Sequence, residues 1–261
     1  MSILKLSEPS LVAQPGPTIR ITGLTKVFGR RGQETTALSE VSISVKEQEF
    51  LCIVGRSGCG KSTMLNIIAD LETPTGGSVD VGGRKVGMMF QDANLFPWLT
   101  VEGNIDLALK LSGVAAELRK DRIQELLETV QLAHVATKRP HELSGGMRQR
   151  VALARTLAQD CEILLMDEPF AALDAITRDA MHEQTERIWG ERALTVVFVT
   201  HNVREAARLA DRVVVMKPNP GRVGSESLIT IPRPRTMEDP RVAEAAALLH
   251  HMLHTQEMPD D

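Results

Sequence analysis

The chain has 261 residues, 43 % of them hydrophobic and 25 % charged, with a formal net charge of −4 and a pI near 6.0. That composition can fill a large core and excludes a disordered or collagen-like chain, while the acidic balance gives no field for gripping nucleic acid and no polybasic membrane anchor. No apolar run approaches the roughly 18 residues of a membrane span, and Cys52, Cys59 and Cys161 are scattered and odd in number, the pattern of free thiols in a reducing cytoplasm.

In chain order, residues 1–17 are polar with three prolines and read as a flexible leader. Lys5 and Glu8 interrupt them, so they lack the apolar stretch of a signal peptide. Short alternating segments from Thr18 to Val45, broken by the basic turn Gly29–Gly32, read as half-buried antiparallel strands. Phe50–Val54 (FLCIV) is a continuous apolar run, the mark of a strand covered on both faces. A glycine-rich turn and a helix from Lys61 to about Ala69 follow. Ile123, Leu126, Leu127 and Val130 fall at i, i+3, i+4 and i+7 on one helix face. Glu162–Asp167, Leu194–Thr200 and Arg212–Met216 are further buried strands, and helical patterns lie between them at Met147–Ala158, Ala175–Trp189 and Val203–Ala210. Buried strands alternating with helices imply a parallel sheet with ligands at the carboxyl ends of its strands.

Gly55-Arg-Ser-Gly-Cys-Gly-Lys-Ser-Thr63 fits the phosphate-loop spacing between a strand and a helix. Gly55, Gly58 and Gly60 let backbone N–H groups curl around phosphate oxygens, with Arg56, Ser57 and Cys59 as the intervening residues. Lys61 would reach the β- and γ-phosphates, Ser62 would ligate Mg²⁺ and Thr63 would bond an α-phosphate oxygen. Ile163–Asp167 is an apolar strand that delivers Asp167 and then Glu168 to its end. Asp167 suits the metal, and Glu168, turned to the other face, suits polarisation of the attacking water. Leu143-Ser-Gly-Gly-Met147 opens another helix: Ser144 is a natural N-cap, and Gly145 and Gly146 bare further N–H groups, a second anion site without its own lysine. His201 lies just beyond the strand LTVVFVT, at the same edge of the sheet as Asp167.

Taken together, these residues resemble the nucleotide-binding subunit of an ATP-binding cassette (ABC) transporter. The phosphate loop, Gln91, Leu143–Met147, Asp167-Glu168, Ala172-Leu173-Asp174 and His201 stand in that family's order over about residues 18–222. The resemblance implies an α/β fold: a P-loop NTPase-like parallel-sheet core, an N-terminal antiparallel β subdomain and an inserted helical signature subdomain at about 92–158. The C-terminal extension would be 223–261. It also implies residue roles: Phe28 stacking on adenine, Gln91 contacting Mg²⁺ and water, and Ser144, Gly145 and Gly146 gripping the γ-phosphate of a nucleotide on the opposite subunit. Asp174 would cross the dimer, and His201 would hold the γ-phosphate and orient Glu168. The implied cofactors are ATP and Mg²⁺. The implied partners are a second copy of the chain, two membrane-spanning permease subunits and, indirectly, a periplasmic solute-binding protein, at the cytoplasmic face of the inner membrane. No nucleic acid is implied.

Phe90–Val101, Met166–Arg178 and Pro220-Gly-Arg222 look like importer subunits of the nitrate/sulfonate/taurine group. Phe96, Pro97 and Trp98 are candidates for the groove that receives a permease helix. Only about 45 residues follow Met216, too few for the regulatory barrel of sugar-type importer subunits. In the tail, the stretch VAEAAALLHHMLH reads as a packing helix; His250, His251 and His254 lack the acidic or thiol ligand that a metal site would add. Gln48, Asp70 and Ala171 stand where the family commonly has glycine. A DNA- or ribosome-remodelling ATPase, a kinase and an exporter are the competing readings. The first would need a long coiled coil or tandem cassettes, and only 51 residues separate Gln91 from Leu143. A kinase would have no use for the Leu143–Met147 segment.

Overall fold

The computed structural model describes residues 4–6, 18–30 and 32–255. In chain order the elements are β1 (Leu4–Leu6), β2 (Ile19–Phe28), β3 (Thr35–Val45), β4 (Phe50–Val54), α1 (Lys61–Ile68), β5 (Gly76–Asp80) and β6 (Val86–Met89). There follow α2 (Val101–Leu111), α3 (Ala116–Thr129), α4 (Gly145–Leu157), β7 (Ile163–Asp167), α5 (Ala175–Arg192), β8 (Thr195–Thr200), α6 (Val203–Leu209), β9 (Arg212–Lys217), β10 (Arg222–Ile229) and α7 (Pro240–Thr255). They form two units, residues 1–83 with 195–261 and residues 84–194.

In the first unit, β2 pairs antiparallel with both β3 and β5 in a three-stranded sheet. A second sheet runs β1-β10-β9-β4-β8, with β4 parallel to β8 and β9. Every residue of β4 and β8 is buried, because each strand is covered on both faces. A fully buried Phe, Leu or Ile side chain is worth about 1.5–3 kcal/mol, so the sheet is rigid where the loops leave it. The leader contributes β1, which pairs antiparallel with β10 and so satisfies a sheet edge that would otherwise stay open. The rest of residues 1–17 lies outside the described residues. β10 and α7 continue the same unit beyond residue 222, with α7 packed on α6.

In the second unit, β6 and β7 form a parallel pair, accompanied by α2, α3, α4 and α5. Thr100 caps α2 by accepting from the Gly103 N–H, and Ser144 caps α4 by accepting from Met147 N–H. Among the described residues no helix is long and apolar enough to cross a membrane.

Two of the positions where glycine was expected do adopt the left-handed backbone, Gln48 at φ 59° and Asp70 at φ 57°. Ala171 does not, so its methyl carries no such strain. A non-glycine residue there costs roughly 1–2 kcal/mol, and glycine returns part of that gain as unfolded-chain entropy, about 0.5–1 kcal/mol. Gln48→Gly and Asp70→Gly are each expected to stabilise the chain by about 0.5–1 kcal/mol. Thermal unfolding of the two variants checks it; a lowered melting temperature would show that the native side chains make contacts worth more than the strain.

Candidate functional site

β4 ends at Val54 and the chain turns through Gly55–Gly60 into α1. Gly60 sits at φ 88°, where a Cβ would come within 2.5 Å of the Leu38 side chain and 2.7 Å of the Ala37 carbonyl. Gly58 takes φ 81°, a backbone that residues with a Cβ rarely adopt, with open space where its Cβ would be. Lys61 is buried, and its ammonium donates to the carbonyls of Gly55 at 2.8 Å and Arg56 at 3.0 Å. That holds the charge inside the loop's curl. Ser62 is exposed and Thr63 half-buried on the first turn of α1, whose N–H groups carry the positive end of the helix dipole. Cys59 lies beneath, 3.8 Å from the Lys61 Nζ, and burial pushes its thiol up.

Two more expected residues belong to this unit. Phe28 ends β2 with 41 % of its surface exposed, and the Lys26 Nζ lies 4.8 Å from its ring centre, so the ring is braced by a cation–π contact. His201 is exposed just beyond β8, between two fixed neighbours. The Asn202 N–H donates to the Thr200 hydroxyl at 2.9 Å, and that hydroxyl donates to the Glu205 carboxylate at 2.6 Å.

The second unit carries the remainder. Asp167 closes β7, half-buried, and Glu168 follows at φ 43°, a left-handed backbone in a residue with a full side chain. Such strain is kept where the surroundings over-determine it. Gly146 packs so closely on Thr177 that a Cβ would overlap its Cγ2. Thr177 in turn bonds Asp174 twice, through its N–H at 3.0 Å and its hydroxyl at 2.8 Å. Those two bonds hold the Asp174 carboxyl below the usual range. The start of α4 and the start of α5 are thus locked together, with Ser144 and Asp174 exposed and Ile176, 85 % exposed, beside them.

Gln91 is exposed, and its carbonyl accepts from the buried Gln149 at 2.7 Å. Arg155 donates to the carbonyls of Ala93 at 3.0 Å and Asn94 at 2.6 Å. Two side chains of α4 therefore anchor the segment after β6. Next to it is a cavity of about 380 Å³ lined by Phe90, Phe96, Leu107, Leu111 and Arg155 among others. Phe96 belongs to its wall; Trp98, 68 % exposed, stacks obliquely on Phe96 with ring centres 5.5 Å apart. Pro97 is exposed and does not line it.

A family model described as ABC transporter matches residues 38–171. The chain belongs to the ABC transporter family. It is 44 % identical over 222 residues to the nitrate import ATP-binding protein NrtD of Synechocystis, covering 82 % of this chain and 83 % of that protein. It is 42 % identical over 224 residues to the aliphatic sulfonates import ATP-binding protein SsuB of Bacillus licheniformis, covering 82 % and 86 %. Among solved structures it resembles the dimeric post-hydrolysis state of the ATP-binding cassette MJ0796 bound to ADP and Pi. That match has TM-score 0.74 and 34 % identity over 82 % of this chain and 99 % of that one. The expected α/β cassette with its parallel sheet and antiparallel β subdomain is the fold observed, and the chain is an ABC ATPase.

Three contributors to this cassette have no role assigned to them from the sequence. Gln149 and Thr177 are named above; the third is Gly221, whose backbone is bonded to Ala37 and Ser39 and abuts the Cys59 carbonyl. A Cβ on Gly221 would overlap that carbonyl and come 2.8 Å from Ala37 O. Gly221→Ala is expected to push the phosphate loop out of shape by an overpacking cost of roughly 1–3 kcal/mol. ATP affinity would fall about tenfold or more. A fluorescent ATP analogue titrated onto the folded variant reads it; unchanged affinity would mean that the loop does not lean on Gly221.

Proposed function

We propose that this chain is the ATP-hydrolysing subunit of an importer for a small anionic solute of the nitrate or sulfonate kind. Two copies pair head to tail at the cytoplasmic face of the inner membrane, carry two permease subunits, and respond to an external solute-binding protein. The observation that carries this reading is a complete phosphate loop in one unit and a lysine-free helix start, Ser144–Gly146, in the other, in a chain similar to anion-import ATPases. An anion site with no cation of its own is useful when the phosphate arrives on a second chain.

In that reading Phe28 stacks on the adenine, and the N–H groups of Gly55–Gly60 and the Lys61 ammonium enclose the β- and γ-phosphates. Thr63 donates to an α-phosphate oxygen. Ser62, Gln91 and Asp167 offer an all-oxygen donor set suited to a hard cation, and Mg²⁺ held there would neutralise phosphate charge. Glu168 accepts a proton from the attacking water as the new O–P bond forms and the bond to ADP breaks. His201 holds the γ-phosphate and orients Glu168. Ser144, Gly145 and Gly146 grip the γ-phosphate of the nucleotide on the other copy, and Asp174 reaches across the same interface. The cavity beside Gln91 is the seat of a permease helix, with the anchored segment 91–94 carrying nucleotide state to it.

The test is growth of the host lacking this chain, on nitrate as sole nitrogen and on an alkanesulfonate or taurine as sole sulfur. Loss on one source, restored by the wild-type chain but not by Lys61→Ala, supports the reading and names the anion. Normal growth on all of them removes anion import and leaves the ATPase.

A further inference from the structure

The segment between β10 and α7 carries two arginines that turn back onto the end of α6. Arg235 is almost fully buried, at 3 % exposure. Its Nη1 donates to the carbonyls of Ala207, Arg208 and Ala210, at 3.3, 3.1 and 2.6 Å, and its Nε to that of Ile231 at 2.9 Å. Three of those carbonyls terminate α6, where intrahelical donors have run out and the helix dipole is negative. Arg233 adds the Leu209 carbonyl and, at 2.9 Å, the Asp211 carboxylate, which itself accepts from Phe50 N–H at 2.9 Å. Val242, Ala245, Ala246 and Leu249 of α7 are buried in the same unit, in which α7 packs on α6.

A buried guanidinium is costly to desolvate, but α6 is itself largely buried, and its last carbonyls need the donors that Arg235 brings. What distinguishes α6 is its other end. It begins two residues after His201, and its head is tied by Thr200 to Glu205 and by Asn202 to the Arg204 N–H at 3.0 Å. A seven-residue helix pinned at both ends moves as a rigid piece, so whatever sets its position sets the backbone of His201.

We propose that Arg235 is a positioning residue for His201: by gripping the last carbonyls of α6, the C-terminal segment sets where the histidine meets the γ-phosphate, and hence the hydrolysis rate. This rests on the role given to His201 above. The expected result for Arg235→Met in the full chain is a kcat lowered about tenfold or more, since a displacement of order 1 Å is that costly. KM for ATP and the affinity for a fluorescent ATP analogue stay within about twofold, because the phosphate loop is untouched. Arg235→Lys, which keeps the charge but offers fewer directed donors, falls between the two. Thr200→Val, loosening the opposite end, shows the same split of kcat from KM; it and Arg235→Lys decide the matter if Arg235→Met does not fold. An unchanged kcat in these variants overturns the proposal, and so does a kcat that falls in step with nucleotide affinity, which would be general loosening. His201→Ala is measured alongside: wild-type turnover there overturns the role of His201 itself.

Discussion

Glu168→Gln is expected to slow ATP hydrolysis by at least about a hundredfold, the usual worth of a positioned general base, while ATP binding is retained. The amide keeps the size of the carboxylate and fits the same backbone, which at φ 43° is already committed before any ligand arrives. Only the capacity to take a proton from water is lost. Lys61, the glycines of the loop and the Ser144 helix start are untouched, so in the proposed head-to-tail pair the nucleotide would be held by both copies and not be spent. The variant is therefore expected to accumulate as an ATP-bound dimer, read by size-exclusion chromatography in ATP with turnover measured by phosphate release. A variant that hydrolyses at the wild-type rate removes Glu168 from the chemistry. One that binds no ATP would show instead that the strained turn after β7 does not tolerate the amide.

What could be read from the residues is what depends on neighbours in sequence. β4, β7 and β8 are largely apolar runs, and each leads into a residue with chemistry to offer: Gly55, Asp167-Glu168 and His201. The α4 start is legible for the same reason, since an N-cap needs only Ser144 and the residues after it. β5 and β6 were harder to see, because glycines at Gly76, Gly77 and Gly87 dilute the strand pattern. Gly87 is tolerated for packing: a Cβ would come within 2.8 Å of the Cys161 sulfur. The supports of the site are contacts over long sequence separations. Gln149 reaches back 58 residues to the Gln91 carbonyl, and Arg235 reaches 25 residues to Ala210. No periodicity announces a side chain whose partner is a distant backbone carbonyl. The left-handed positions are an intermediate case. Gln48 and Asp70 stood out only against the glycine common in the family, and the backbone then gave the reason.

Lys61→Ala and Gly146→Val are each expected to silence hydrolysis by about a hundredfold or more, the scale of losing a preorganised charge or donor set, yet a mixture of the two is expected to recover activity. The first removes the ammonium from the phosphate loop. The second drives a side chain into Thr177, which holds Asp174 through two hydrogen bonds, and so disrupts the α4 and α5 starts together. If the copies pair head to tail, a dimer of one chain of each kind has one site with both defects and one with neither. Random pairing makes half the dimers mixed, each with one of two sites intact, so roughly a quarter of wild-type turnover is expected from independent sites. A chain carrying both substitutions is the control, since it completes no site with either partner. Steady-state hydrolysis at constant total protein, with mixed dimers confirmed by capture through a tag on one chain, reads the outcome. Recovery requires Lys61 and Gly146 of different chains to serve one nucleotide. A mixture as silent as its components would place both residues around a nucleotide bound within a single chain, and the lysine-free helix start would then have to find its phosphate at home.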